Sequence, residues 1–451
     1  MFIKDIINVT CGELILGDES KFIDSFSIDS REINNGDLYV SIIGDKFNGN
    51  DFISDTFIKG AVGVVYQGNI DENLFIKYSD KIFIKVNDTI KALQDMAKYK
   101  RSLYDIPVVA ITGSVGKTST KDIVSSVMKT KYNVLSTKGN LNNHIGLPLT
   151  LLKLKDHDAM CIEIGMNHAG ELSILTDILK PTIAVITNVG TAHIGNLGSR
   201  ENILKAKLEI LEGLHIDGKV VINNDNDLLH EWALNQLNYN IYTYGIDKDS
   251  NIRGVNINYG VSESNFNVNN LDEVFSVQVP GKHFVYNSLC AITVGKILGI
   301  DFKSIKKGIY DFKLTKGRME ERKLDNDITL LVDCYNANYD SMKSALEVLG
   351  KYNTRRIAVL GDMLELGEYS ESLHYKVGEC VKNNNIDILI TVGELSKYIQ
   401  KGFNGKSVYQ CVNNDEAVKI LKNIIRDGDS ILFKASNSMN FIEIVEKMSM
   451  N

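Results

Sequence analysis

The sequence predicts an α/β protein with three domains: a mixed α/β N-terminal domain, a central domain built on a parallel sheet, and a C-terminal Rossmann-like domain. Two observations predict this architecture. Short, apolar, β-branched runs alternate with stretches of helical periodicity, which is typical of parallel sheets covered by helices on both faces. The length of 451 residues also suggests about three domains, at roughly 100–200 residues for each domain.

The alternation divides the chain into three parts. Residues 1–104 contain the strand-like runs GDLYVSIIG and AVGVVY and a helical stretch at 89–103. Residues 105–317 contain the runs VVAIT, AMCIEI, TIAVIT and KVVIN, and their polar stretch at about 240–280 predicts a peripheral antiparallel excursion. In residues 318–451, a helical pattern follows each of ITLLVD, RIAVLGD, DILITVG and SILFKAS, which predicts a third α/β domain.

The composition excludes several classes of function. A net charge of −7 argues against a nucleic-acid partner, because phosphate backbones require a basic surface. No run approaches the roughly 20 apolar residues of a membrane-spanning helix, so we expect no membrane insertion. The 6 cysteines form no C-x-x-C pair, and the N-terminus is a poor signal peptide. We therefore expect a cytoplasmic protein, acting as a monomer on small molecules.

A compact phosphate-binding loop follows the first strand of the central domain. Its sequence is TGSVGKTS at residues 112–119, with Ile111 where the full P-loop pattern has its first glycine. Gly113 and Gly116 allow backbone N–H groups to approach phosphate oxygens, Lys117 can reach the outer phosphates, and the hydroxyl of Thr118 can bind Mg²⁺. The helix that follows directs its positive end at the same charge. The pattern predicts a P-loop-type ATPase domain that binds ATP; a glycine-rich turn without a ligand is the alternative. The candidate residues are Gly113, Ser114, Gly116, Lys117, Thr118 and Ser119.

Two further polar residues follow strand-like runs. Glu163 follows AMCI, and His193 lies in TNVGTAHIG. The carboxyl ends of parallel strands line the ligand crevice, so both side chains are expected near the phosphate loop. Each residue alone is explained more readily by a hydrogen-bonded polar group that caps a strand. Together with the loop, they predict ligands for Mg²⁺.

Lys207 lies on the apolar face of a predicted helix. In ENILKAKLEILEG it is one turn from both Ile203 and Leu211. A buried, uncompensated ammonium group is costly, and the spacing alone favours a lysine that extends to the rim of the protein. The alternative is a lysine that points into the nucleotide crevice and is paired or chemically modified there.

In order along the chain, these segments resemble the Mur ligase family, and the resemblance covers nearly the whole sequence. TGSVGKTST resembles the phosphate loop of the family, STKGNLNNHIGLPLTLL the segment after it, and TAH and AKLEI the next two motifs. The resemblance implies a ligase that uses ATP and Mg²⁺ and forms an acyl phosphate. It also implies that Lys207 is carbamylated and, with Glu163 and His193, holds a metal pair, so that Lys117, Lys207 and His193 act in catalysis.

The resemblance also assigns binding residues. Asn287 in GKHFVYNSLCAI is implied to contact the base, and Arg318 in GRME the phosphates. Residues of the last domain are implied to close over the nucleotide: Asp333, Tyr335, Asn336 and Asn338. The substrate-binding residues implied in the first and second domains are Ser30, Arg31, Phe47, Asn48, Asn142, Asn143 and Thr191, the first four of them for the UDP-sugar. For those four, the alternative is a turn-rich surface without a ligand.

Two segments resemble the family members that add D-alanyl-D-alanine to UDP-N-acetylmuramoyl-tripeptide, namely DCYNANYDSM and VLGDMLELGEYS. Three positions depart from their pattern: Val332 replaces an acidic residue, Tyr339 a proline, and Asn437 an arginine. Asparagine cannot replace the charge of an arginine that binds a carboxylate. A related ligase with another acceptor is therefore the first alternative. A non-catalytic nucleotide-binding protein and a P-loop transporter or motor are further alternatives, and the third residue of the tripeptide stays open between lysine and diaminopimelate.

Overall fold

The computed structural model describes residues 1–449 and contains three sheets, one for each predicted domain. The last two residues of the predicted third domain, 450 and 451, lie outside the described part of the chain. The three-domain α/β fold class is confirmed. Within residues 1–449, no helix is both long enough and apolar enough to cross a lipid bilayer.

The first sheet has five strands in the order β1-β5-β4-β3-β2, and only the β1–β5 pair is antiparallel. The predicted helix at 89–103 is present as α4. The strands are β1 Glu13–Leu16, β2 Phe26–Ser27, β3 Leu38–Val40, β4 Gly63–Gln67 and β5 Ile82–Val86. The helices are α1 Ile3–Thr10, α2 Ile53–Ile58, α3 Asn73–Lys77, α4 Thr89–Ser102 and a short 3₁₀ helix at Gly49–Phe52.

The central sheet has nine strands in the order β14-β13-β12-β11-β10-β9-β6-β8-β7. The strands are β6 Val108–Thr112, β7 Val134–Ser136, β8 Ala159–Glu163, β9 Ile183–Ile186, β10 Lys219–Asn223, β11 Asn240–Gly245, β12 Ile252–Tyr259, β13 Ser264–Val268 and β14 Leu271–Val277. The helices are α5 Lys117–Met128, α6 Gly146–Leu151, α7 Glu171–Leu179, α8 Ile194–Leu197, α9 Arg200–Leu208, α10 Asp227–Leu234, α11 Lys282–Ile297, α12 Phe302–Tyr310 and a 3₁₀ helix at Glu209–Leu211.

The order of the central strands places the phosphate loop at a switch point. β6 lies between β8 and β9. The chain runs from β6 to β7 and β8 on one side of it and then crosses to β9 on the other side. Crevices for ligands form at the carboxyl ends of strands where the order reverses in this way. The antiparallel excursion predicted at 240–280 begins later than expected, because β11 and β12 still pair in parallel and the antiparallel pairs are β12–β13 and β13–β14.

The third sheet has six strands in the order β15-β16-β20-β17-β18-β19, parallel except for the β15–β16 pair. The strands are β15 Glu320–Lys323, β16 Thr329–Val332, β17 Arg356–Gly361, β18 Ile388–Val392, β19 Val408–Cys411 and β20 Ser430–Lys434. The helices are α13 Tyr339–Leu349, α14 Ser370–Asn383, α15 Lys397–Phe403, α16 Asn414–Ile424, α17 Ile442–Ser449 and 3₁₀ helices at Gly367–Tyr369 and Asn437–Met439.

The helix after the phosphate loop is held from behind by α12. Gly308 of α12 lies so close to α5 that a Cβ atom there would be 2.6 Å from the Cα atom of Val127. The Ser126 hydroxyl donates a hydrogen bond to the Gly308 carbonyl oxygen at 2.7 Å. The atoms next to Gly308 belong to the backbone of α5. An added methyl group would therefore force the two closely packed helices apart, which costs free energy.

We predict that Gly308→Ala lowers the free energy of unfolding by about 1–3 kcal/mol, the usual cost of overpacking, although alanine favours helix formation. Thermal unfolding followed by calorimetry provides the measurement. Gly44→Ala is the matched control, because the nearest atom to its added Cβ is 3.8 Å away. Equal midpoints for Gly308→Ala and the wild type would contradict the close packing of α5 on α12.

Candidate active site

The phosphate loop connects β6 to α5, as the strand–loop–helix pattern predicts. Gly113 has φ +155°, and a Cβ atom there would be 1.9 Å from Thr187 Oγ1; Gly116 has φ +81°. Both positions therefore require glycine: Gly113 because a side chain would collide with Thr187, and Gly116 because its backbone is left-handed. The first residue of α5 is Lys117, so the helix begins directly at the loop and its N-terminal N–H groups face the same space.

Lys117 folds back over the loop. Its Nζ atom donates a hydrogen bond to the Gly113 carbonyl oxygen at 2.8 Å. Burial lowers the pKa of the Lys117 ammonium group, the nearby Glu163 carboxylate opposes that shift, and the Arg318 charge adds to it. The lysine therefore lies in a polar, partly desolvated position where a phosphate group would stabilise its charge.

A second residue from the neighbouring strand braces the loop. Asn188, just after β9, accepts hydrogen bonds through Oδ1 from the backbone N–H groups of Ser114 and Val115, at 3.1 and 2.9 Å. Its Nδ2 group donates to the Val115 carbonyl oxygen at 3.0 Å. The side chain thus fixes the first half of the loop from the side of β9.

The carboxylate of Glu163, at the end of β8, accepts hydrogen bonds from two side chains. Its two oxygens accept hydrogen bonds from the Thr118 hydroxyl at 2.8 Å and from Asn142 Nδ2 at 2.7 Å. The Thr118 hydroxyl also accepts a hydrogen bond from Arg318 Nη2 at 2.8 Å. A hydroxyl and a carboxylate oxygen therefore lie side by side next to the phosphate loop.

Oxygen atoms in this arrangement match the hard ligands that Mg²⁺ prefers, which it commonly takes from one or two protein side chains together with nucleotide phosphates. The residues present therefore fit the predicted ion at Thr118 and Glu163. Within residues 1–449, no three His, Cys, Asp or Glu side chains converge as a complete metal cage. The site thus suits an ion that arrives with a phosphorylated ligand.

Lys207 is buried, with 1% of its surface exposed, so the interpretation that its ammonium group extends to the rim is wrong. Burial holds the pKa of Lys207 well below its usual value, and the charge of Lys117 lowers it further. Burial also lowers the pKa of His193, to which the charges of Lys117 and Lys207 contribute. The three side chains are therefore close enough to influence one another, as the position of Lys207 on the inner helix face predicts.

A cavity of about 420 Å³ lies between the phosphate loop and the third domain; Lys117 and His193 line it, and Lys207 does not. Most of the predicted site residues line it: Ser114, Gly116, Lys117, Thr118, Ser119, Asn142, Asn143, Glu163, His193, Asn287, Arg318, Asp333, Tyr335, Asn336 and Asn338. Two lining atoms are buried without a hydrogen-bond partner in the described chain, namely Asn287 Nδ2 and Arg318 Nε. Buried donors of this kind are costly unless a ligand satisfies them.

The third domain contributes an ordered polar edge. Lys434, at the end of β20, donates hydrogen bonds to Asp333 Oδ2 at 2.5 Å and to the Asn336 carbonyl oxygen at 2.9 Å. The Arg318 guanidinium group stacks 3.9 Å from the centre of the Tyr335 ring. Asn338 caps α13 by accepting from the Ser341 N–H. Lys434 thus orders the segment that places Tyr335 beside Arg318.

The two domains also touch beyond the cavity. Asp340 Oδ2 accepts hydrogen bonds from the backbone N–H and the hydroxyl group of Thr191, at 2.9 and 3.0 Å. His193 Nδ1 lies 2.7 Å from Glu365 Oε2. Thr191, expected to bind substrate, therefore contacts the third domain here and does not line the cavity.

The residues expected to bind the UDP-sugar lie apart from the cavity. Ser30 and Arg31 follow β2, and the Arg31 guanidinium group pairs with Asp29 at 2.6 Å while remaining exposed. Phe47 is 72% exposed, and Asn48 caps the 3₁₀ helix by accepting from the Asn50 N–H. A site for them on the first domain stays a prediction.

Sequence reasoning missed four residues that organise the site. Asn188 lies two residues beyond the end of β9, and Glu163 is the last residue of β8, so a polar residue at the carboxyl end of a strand is the signal that could have identified it. Lys434 likewise ends a strand. Asp340 and Glu365 lie within segments quoted for their resemblance, but only the docking of two domains brings them to the central loop.

Three family models match the chain: the Mur ligase family catalytic domain over residues 23–101, the Mur ligase middle domain over 111–295, and the Mur ligase glutamate ligase domain over 317–437. The chain is 33% identical over 438 residues to UDP-N-acetylmuramoyl-tripeptide–D-alanyl-D-alanine ligase of Bacillus subtilis, covering 95% of this chain and 94% of the relative.

Two solved structures share the whole architecture. MurF from Acinetobacter baumannii has a TM-score of 0.91 at 26% identity, covering 100% of this chain and 99% of its own. The MurF ligase of Thermotoga maritima in complex with ADP has a TM-score of 0.83 at 26% identity, covering 95% and 97%. The three-domain arrangement is therefore shared from end to end.

The burial of Lys207 yields a prediction about stability. Because its pKa is lowered in the folded state, the charged form costs folding free energy at pH values below the ordinary lysine pKa, and this cost falls as pH rises toward that value. Lys207→Met should therefore raise the free energy of unfolding by about 1–4 kcal/mol near neutral pH in CO₂-free buffer.

Chemical denaturation at pH 6 and pH 9 measures the effect, and the gain should be larger at pH 6. Lys129→Met is the matched control, since Lys129 is exposed at the end of α5. A Lys207→Met protein that is less stable than the wild type at pH 6 would show that Lys207 is not a destabilising buried cation.

Proposed function

The chain belongs to the Mur ligase family, and from this premise we propose that it is an ATP-dependent ligase that joins D-alanyl-D-alanine to UDP-N-acetylmuramoyl-tripeptide. The product is the UDP-muramoyl-pentapeptide used in peptidoglycan synthesis. The observation that carries this conclusion is end-to-end similarity to ligases of that name, covering 95% of this chain in the Bacillus subtilis relative. The cavity lined by Lys117 and Arg318 supplies the chemistry that such a reaction needs.

The reaction has two steps. The terminal carboxylate of the tripeptide attacks the γ-phosphate of ATP, which releases ADP and leaves an acyl phosphate. The amine of D-alanyl-D-alanine then attacks the acyl carbon, and the tetrahedral intermediate collapses with loss of phosphate. The first step brings two anions together, so neutralisation of charge and fixed orientation are the main tasks of the protein.

The residues around the loop divide these tasks. Lys117 lies where the outer phosphates would be held. Burial lowers its pKa, and a bound phosphate would stabilise its charged form. Arg318 spans the two domains through Thr118 and Tyr335, so its charge is fixed relative to both. The unpaired Asn287 Nδ2 group, close to Gly116, remains available to the nucleotide.

We also propose that the enzyme uses Mg²⁺ held by Thr118, Glu163 and His193, with a carbamate on Lys207 as a further ligand. When bound, the ions supply charge neutralisation at the phosphates. A carbamate forms from CO₂ and a neutral amine, and the lowered pKa of Lys207 favours that neutral form. The modification would also replace a costly buried cation with an anion beside the cationic Lys117.

Several other features are part of the proposal. The first domain would bind the UDP-sugar through Ser30, Arg31, Phe47 and Asn48, with domain boundaries near residues 104 and 317. We also propose that the protein is a monomer and that it is cytoplasmic; the six free cysteines support the second point, because reducing compartments keep thiols unpaired. The third residue of the tripeptide stays open between lysine and diaminopimelate, so both tripeptides are needed as substrates in any assay.

We predict phosphate release that requires ATP, Mg²⁺, the UDP-tripeptide and D-alanyl-D-alanine together, with the UDP-pentapeptide identified by mass. A panel of other dipeptides under the same conditions tests the alternative of a different acceptor. Preference for another acceptor, or silence with both tripeptides in protein that binds ATP, would contradict the proposed substrate.

Lys117→Ala should abolish ADP formation, because a positive charge at the phosphates is lost where it has the largest effect. Lys129→Ala is the control, since it removes an exposed lysine from the end of the same helix. Normal turnover by Lys117→Ala would remove the phosphate-loop assignment.

Lys207→Ala should lose most activity and regain part of it when bicarbonate and a short carboxylic acid are added, because the acid can occupy the place of the carbamate. Steady-state turnover with increasing acid measures the recovery. Wild-type turnover by Lys207→Ala without any addition would remove the carbamate proposal.

A further inference from the structure

One loop of the central domain is held by the third domain along most of its length. This loop segment joins β9 to α9, includes the short helix α8, and carries His193, which has a left-handed backbone at φ 62°. Its partner Glu365 also has a left-handed backbone, at φ 63°. Non-glycine residues adopt this conformation at a cost and keep it where the surroundings fix it. Both members of the pair therefore have a costly backbone conformation, and they meet at the contact between the domains.

Glu365 contacts the loop through both its side-chain carboxylate and its backbone carbonyl oxygen. Its Oε2 atom lies 2.7 Å from His193 Nδ1, and its carbonyl oxygen accepts a hydrogen bond from the Gly195 N–H at 3.2 Å. The His193 side chain is only 14% exposed, whereas the Glu365 side chain is 52% exposed. A half-exposed pair contributes little to stability, about 0–1 kcal/mol, so its main effect must be on position.

A second carboxylate holds the same loop two residues earlier. Asp340 lies in the first turn of α13, and its Oδ2 atom accepts from both the N–H and the hydroxyl group of Thr191. A Cβ atom at Gly190 would be 2.3 Å from that same oxygen. Gly190 therefore leaves room for the Asp340 carboxylate, and Thr191 supplies the two hydrogen-bond donors that bind it.

Two more contacts close the interface. The Tyr369 hydroxyl donates a hydrogen bond to the Gly198 carbonyl oxygen at 2.7 Å. A Cβ atom at Gly195 would be 2.6 Å from the Gly367 nitrogen, so the two backbones meet directly. The third domain therefore contacts the loop before, at and after His193.

We propose that Asp340 and Glu365 are positioning residues that form a carboxylate clasp, which fixes the 190–198 loop and turns His193 into the cavity only when the third domain is docked. This inference rests on the proposed function for the role of His193. With Nδ1 bonded to Glu365, only Nε2 of the imidazole remains for a ligand. Carboxylates that bond the second nitrogen of a histidine commonly orient it for metal binding.

The geometry also argues against a direct role of the two carboxylates with the nucleotide. Neither Asp340 nor Glu365 lines the cavity, whereas Glu163 and Asp333 do. The hydrogen-bond partners of Asp340 and Glu365 are backbone N–H groups, a hydroxyl and an imidazole, all on one loop. A hydrogen-bond acceptor without charge should therefore replace Glu365 adequately.

The test compares Glu365→Ala, Glu365→Gln and Asp340→Ala with Glu368→Ala, a neighbouring exposed glutamate, as the control. We expect Glu365→Ala to lower kcat by about 10–100-fold with the KM for ATP nearly unchanged, and Glu365→Gln to retain most activity. Hydrogen–deuterium exchange of the 190–198 segment should increase in both alanine variants and remain at the wild-type level in Glu368→Ala.

Equal losses in Glu365→Gln and Glu365→Ala would overturn the proposal in favour of a role for the charge itself. Unchanged exchange and unchanged kcat in the alanine variants would overturn it as well. The exchange measurement needs no turnover, so it separates this inference from the proposed function. Wild-type protein that lacks ligase activity but still shows the exchange difference would contradict the proposed function and leave the clasp intact.

Discussion

Everything around the phosphate loop depends on a surplus of buried positive charge. Lys117, Lys207 and Arg318 meet in the same region, where Glu163 is the carboxylate bonded at the loop. Burial lowers the pKa of both lysines, which means that the folded protein holds their charges at a cost in stability. In a protein of net charge −7, an anionic ligand would offset this cost at Lys117 and Arg318, and the proposed carbamate would remove it at Lys207.

The fold serves to keep that surplus in place and to shield it from water. β6 lies at the switch point of its sheet, and α12 packs against α5 behind the loop. These contacts hold the phosphate loop and Lys117 in a fixed position beside Arg318. The third domain closes the other side, where Lys434 organises the Asp333 segment and Arg318 bridges to Tyr335. Electrostatic interactions strengthen as water is excluded, so the docked third domain increases the effect of each charge on a bound anion.

The sequence predicted the parts of the site that depend on local pattern. The strand–loop–helix context of Lys117, the strand end of Glu163 and the inner helix face of Lys207 follow from spacing within one or two elements. The roles of Asp340 and Glu365 do not, because their hydrogen bonds join residues 149 and 172 positions apart. Such contacts depend on how two domains dock, and a pattern within one segment carries no information about that. For the same reason, spacing favoured an exposed Lys207 ammonium group, whereas the surrounding domain buries it.

The structure separates the departures from the family pattern into two kinds. Tyr339 is the first residue of α13, where proline is favoured for its fixed φ, but Asn338 and Ser341 already form a capping box there. The helix therefore starts correctly without proline, and this departure concerns local structure. Asn437 is different, because it is exposed and lines the cavity. Lys434, three residues earlier, is committed to Asp333, so it cannot take over the role of a missing arginine. A carboxylate arriving at this edge meets amide donors, which fix its direction but supply no charge, and discrimination among acceptors must then depend on shape and hydrogen bonding.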